Sequence, residues 1–171
     1  MTFPISQIAE TALGQMFGGL ERALKKGAAH AEANKVEESV YLDWRLAPDM
    51  FPMKRQVQIA TELPARGLAR LAGAPLPSFD DKEENFAALL ARIDKARDFI
   101  KDLDMQAVDR NPDANITVPM GPQEMTFARS AYFLTFVLPN LYFHITAAYL
   151  NLRNMGVDVG KLDYMNAQQE A

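Results

Sequence analysis

The stretch FARSAYFLTFVLPNLYFHITAAYLNLRNM, residues 127–155, decides how this chain is read. Phe127, Ala131, Leu134, Leu138, Leu141, Ile145, Ala148, Leu152 and Met155 alternate steps of four and three. That spacing lays one apolar seam along a helix, the pattern of antiparallel bundle packing. Gly156 suits the residue just beyond its end. No charge falls from Ser130 to Leu152, which is length enough for a bilayer. Pro139, Asn140, His144 and Asn151 break up the stretch, and a seam on one side implies protein there rather than lipid. It therefore reads as a buried bundle helix, with no membrane partner expected. Tyr132, Phe136 and Phe143 project opposite the seam at about 100° per residue. The cover expected for them is a second copy, a homodimer through this last helix; loops or a hairpin are the alternative.

Upstream, three more helical patterns appear. Ile5, Ile8, Leu13, Met16, Leu20 and Leu24 form a first stripe, which fades at Lys25, Lys26 and Gly27. Gly18 and Gly19 inside it suggest close approach of a neighbouring helix. Met53, Val57, Ala60, Leu63, Leu68 and Leu71 form a second, with Pro64 predicting a kink and Gly73 ending it. Pro52 suits its first turn, with Asp49 in the N-cap region. Arg45 is placed to pair with Asp49, and Trp44, Met50 and Phe51 to anchor that loop. The third stripe runs through Phe86, Leu89, Leu90, Ile93, Ala96, Ile100 and Leu103, capped by Asp80 or Asp81. Arg92, Asp94, Lys95, Asp98 and Lys101 make its solvated outer face. Residues 115–127, NITVPMGPQEMTF, read as a small hairpin lying against the bundle. GVDVGKLDYMNAQQEA, from Gly156, reads as an extended segment and a frayed tail.

The 171 residues make one domain, 1–171, with 49% hydrophobic residues and a net charge of −4. That balance speaks against nucleic acid as a partner. With no cysteine and two histidines, thiolate chemistry and a three-histidine site within one chain are excluded. MTFPISQIAE has no basic stretch followed by an apolar run, so the protein reads as cytoplasmic.

Chemistry concentrates on His144. It titrates near neutrality, sits inside an apolar helix, and has Asn140 one turn before it. Pro139 cannot donate to the carbonyl of Thr135, which opens the adjacent turn. Gln56, on the second helix, can approach the same gap. His144, Asn140, Gln56 and Asp49 are the candidate ligand-binding residues. The plain alternative is a core histidine bonded to a neighbour. No phosphate loop, H-E-x-x-H or G-x-S-x-G pattern occurs.

The segments RLAPDMFPMKRQVQIA (45–60), ARLAG (69–73) and LPNLYFHITAAYLNLRNMGVDVGKLDY (138–164) resemble an uncharacterised bacterial family of unknown function in the DinB/YfiT-like superfamily. The resemblance covers nearly the whole chain. It implies an all-α, DinB-like four-helix bundle, often dimeric, with a site at one end. In the metal-binding branch three histidines hold a divalent ion, one from the second helix and two from an H-x-x-x-H pair on the last. Here that pair falls on Asn140 and His144, and the second helix offers Gln56 or Gln58. Amides are weak ligands for a transition metal, so no metal and no cofactor are expected. The leading expectation is a binder of a small molecule or partner. The alternatives are a diverged DinB-type metal- or thiol-dependent transferase and a structural dimerisation module.

Overall fold

In the computed structural model, which describes residues 3–167, the elements follow in this order. They are α1 (Ile5–Asn34), α2 (Glu38–Leu42), α3 (Met53–Ala72), α4 (Phe86–Lys101), α5 (Met105–Asp109), β1 (Asn115–Met120), β2 (Gln123–Ala128), α6 (Arg129–Asn154) and α7 (Lys161–Tyr164). The four long helices close a ring in which α1 meets α4, α4 meets α3, α3 meets α6, and α6 returns to α1. Chain neighbours α1 and α3 are therefore diagonal, as are α4 and α6. Those are the two connections that need extra chain, and they hold α2 in the first and α5 with the hairpin in the second. The fold is the expected all-α four-helix bundle with a hairpin before its last long helix.

The core is one cluster. Phe17, Leu20 and Leu24 from α1, Met53, Val57 and Leu68 from α3, Leu89 and Ile93 from α4, and Leu141 and Ile145 from α6 are all buried. α1 does not stop near Gly27. It continues to Asn34 and ends on Lys35 in the left-handed conformation. Gly27 serves packing, since a Cβ there would lie 2.8 Å from the Phe86 ring and 3.0 Å from Leu152. Gly19 admits the chain that follows α6, because a Cβ there would collide with the Tyr164 carbonyl. That segment, expected to be extended and then frayed, buries Val157 and Val159 and folds into α7 against α1. The end of the expected tail, 168–171, lies outside the described residues.

Two expected caps are corrected. α3 starts at Met53 with Pro52 as its N-cap and no side-chain cap, so Asp49 does not cap it. Arg45 donates to the Met50 carbonyl at 2.6 Å rather than pairing with Asp49. Trp44 and Phe51 are exposed and anchor nothing in the core. α4 starts at Phe86, where the Asn85 side chain accepts from the Ala88 N–H at 2.8 Å. Asp81 and Glu83 are engaged elsewhere, on Arg92. Arg92, on a face expected to be solvated, is 3% exposed. Its guanidinium donates to Thr61 Oγ1 at 2.9 Å and pairs with Glu83 at 2.8 Å and Asp81 at 3.0 Å. Phe79 lies over it at 4.7 Å. A buried guanidinium is tolerated only with such partners, and here they tie the 73–85 connection to the bundle.

The seam of α6 is also corrected. From Leu138 onward it holds, with Leu138, Leu141, Ile145, Ala148 and Leu152 buried. Before Leu138 the helix passes through a π turn, Tyr132–Val137. A π turn takes up one residue more than an α turn. Phe133 therefore takes the seam position, and Leu134 is 46% exposed. Tyr132 and Phe136 are covered within the chain: Phe127 of β2 packs on Tyr132 at 5.8 Å, and Tyr132 stacks on Phe136 at 5.7 Å. Phe143 remains 58% exposed. α6 is also, by length and composition, a helix able to cross a membrane; here its seam is packed against α1 and α3.

Candidate functional site

α3 and α6 are neighbours in the ring, which places Gln56 opposite His144. The His144 Nδ1 and Gln56 Oε1 atoms are 2.7 Å apart, with His144 8% and Gln56 1% exposed. The amide orientation follows from its other end, where Gln56 Nε2 donates to the Phe51 carbonyl at 3.1 Å. Oε1 can only accept, so His144 carries its proton on Nδ1 and donates it. The lone pair then lies on Nε2, which has no hydrogen-bond partner among the described residues. Burial, and secondarily the charge of Arg55, push the imidazole pKa down to about 4. At neutral pH the ring is uncharged, an acceptor at Nε2 with a fixed tautomer.

The other two candidates do not join this pair. Asn140 donates from Nδ2 to the Phe136 carbonyl at 2.8 Å, so its amide is engaged by its own helix. No hydrogen bond joins it to His144 among the described residues. Asp49 is exposed in the loop before α3. Two contributors escaped the sequence reading. Phe51, expected as an apolar anchor, supplies instead a carbonyl that holds the glutamine. Phe143, expected on the far face, stands edge-on to the His144 ring with centroids 5.2 Å apart. Adjacent residues on a helix diverge by about 100°, and a wheel hides contacts made by a large ring leaning sideways.

The metal set implied by the resemblance does not fit these residues. Gln56 Oε1 faces Nδ1, the protonated nitrogen, and not the lone pair on Nε2. The Asn140 amide is engaged by its own helix, and Gln58 Nε2 donates to Glu83 at 2.8 Å. One imidazole nitrogen remains, too few donors for a closed transition-metal site.

The chain matches the family model described as a domain of unknown function (DUF1993) over residues 7–165. It is also similar to a solved structure, the crystal structure of a DinB family member protein from Shewanella denitrificans. The two share 32% identity and a TM-score of 0.86, the match covering 98% of this chain and 96% of that one. No curated protein matches.

Proposed function

The chain belongs to the DUF1993 family, DinB-like in fold and of unknown function, and on that premise we propose that it is a metal-free cytoplasmic binding protein. Its site is the His144–Gln56 pair between α3 and α6. One observation carries the reading: the Nδ1–H···Oε1 bond at 2.7 Å, itself held by Phe51, presents Nε2 as an oriented acceptor. Such a group receives a hydrogen-bond donor, so the ligand is a small molecule with a hydroxyl, amide or ammonium group. A pKa near 4 makes the ring a poor general base at neutral pH, which favours binding over the transferase alternative.

The test is to label the histidine ring nitrogens and add a small-molecule extract of the producing cells. A shift at His144 Nε2, lost in His144→Ala at small stability cost, is the expected result. An unmoved ring in a protein that His144→Ala unfolds would make it a core histidine. Stoichiometric zinc or nickel in untagged protein would contradict the metal-free reading.

The second reading, a homodimer through α6, is supported by apolar side chains left uncovered on that helix. Phe143, Leu150 and Tyr142 are 58%, 42% and 39% exposed. Since Phe143 stands against His144, a second copy covering the one also closes over the other. Sedimentation should show a dimer that Phe143→Ser dissociates; a monomer at high micromolar concentration would remove the idea.

A further inference from the structure

Away from His144, a groove of about 520 Å³ lies between α3, the β1–β2 turn and the π turn of α6, a volume typical of small-ligand sites. Arg55, Arg66 and Arg70 project into it from α3, with Glu62 as the only acid in its lining. The charges are not equally free. Arg66 is paired with Glu62 at 2.6 Å, and Arg55 with Asp81 at 2.6 Å. Arg70 has no carboxylate partner among the described residues, and it lies beside the Tyr132 hydroxyl. It also borders a second cavity of about 290 Å³, lined by Arg110 and Arg129 without any acid. In a chain of net charge −4, half of the arginines thus gather on two adjoining hollows. Concave walls focus such a field.

The π turn shapes the groove. Tyr132 and Phe136, both within it, stack at 5.7 Å and form one wall. Ile59, Leu63 and Pro119 complete an apolar lining. π turns are uncommon and recur at functional sites. The Tyr132 hydroxyl, whose pKa is raised by burial, keeps its proton and can donate it. A guanidinium and a hydroxyl above an apolar floor match an oxyanion on an apolar body.

We infer that this groove binds a small organic anion, a carboxylate or phosphate monoester with a compact apolar body, its charged end received by Arg70 and the Tyr132 hydroxyl. Neither His144 nor Gln56 lines this groove, and its test stands apart from that reading. Phenyl phosphate and benzoate are the probes, with benzamide as the neutral match. Added to the labelled full chain, the anions should move the Gly121 amide and the Arg70 side-chain resonances, and benzamide should not. The tighter of the two anions identifies the group received. Arg70→Gln should weaken binding by about tenfold or more. Arg153→Gln, roughly 25 Å along α6 from the π turn, removes the same charge and should change it by less than about twofold. Circular dichroism confirms that each variant is folded. Benzamide binding as well as benzoate would overturn the proposal. So would Arg70→Gln losing stability while no probe binds, because Arg70 would then be only a cation balancing the end of α3.

Discussion

From Leu138 to Leu152, α6 places its seam where a 3.6-residue period puts it, whereas in the turn before Leu138 the seam belongs to Phe133 and Leu134 faces solvent. The two halves have similar apolar compositions, so hydrophobicity alone does not separate them. Pro139 does. It has no N–H to donate to the preceding turn, and the neighbouring turns carry side-chain hydrogen bonds as well: Thr135 Oγ1 donates to the Ala131 carbonyl at 2.7 Å and Asn140 Nδ2 to that of Phe136 at 2.8 Å. The freed turn accommodates an extra residue, and the hairpin covers the aromatics so displaced. The C-terminal half, in strict register, holds His144 against Gln56. One half is shaped by backbone, the other by period.

Deletions break this comparison most sharply. Removing Leu150 rotates the last seam residues out of the core and should cost more than about 4 kcal/mol, read as failure to fold cooperatively in urea. Removing Leu134 takes out the extra residue and leaves both flanking faces in place, so it should cost no more than about 2 kcal/mol. Equal damage from the two would contradict the π turn. Next in size, Phe133→Ala should destabilise by about 3–5 kcal/mol, against less than about 0.5 kcal/mol for Leu134→Ala at an exposed position. A reversed order would restore the unbroken seam.

Acid sharpens the contrast from the other side. His144 titrates near its ordinary 6.5 when unfolded and near 4 when folded, so between those values the unfolded chain binds the extra proton. Its contribution is complete above pH 6.5, is lost as pH falls towards 4, and is constant below that. The loss is about 3 kcal/mol, measurable as urea midpoints across that window, and absent in His144→Phe. Glu21, held below its ordinary value by the hydrogen bond from Lys25 and then by Arg97, contributes at more acid pH. The two effects separate by window.

Much of this was legible from the chain. Period and turn residues located the long helices and the hairpin, and the approach of Gln56 to His144 was read from their places on neighbouring helices. What was hidden depends on contacts distant in sequence. Arg92 lies in a charged run on α4, and nothing local says that Asp81 and Glu83 fold back to bury it. Gly27 resembles a stop until Phe86 and Leu152 are seen packed against it. The π turn has a local cause in Pro139, yet a heptad count cannot see a residue absorbed by backbone. Asp49 looked like a cap because Pro52 marks a helix start, but an extended Pro52 took that place itself.

The fixed, uncharged imidazole is the claim on which the functional account turns. Nitrogen-detected NMR of His144 across pH 3 to 8 addresses it directly. The account predicts a proton on Nδ1, a bare Nε2, and a titration midpoint about 4. A ring titrating near 6.5, or carrying its proton on Nε2, would contradict it.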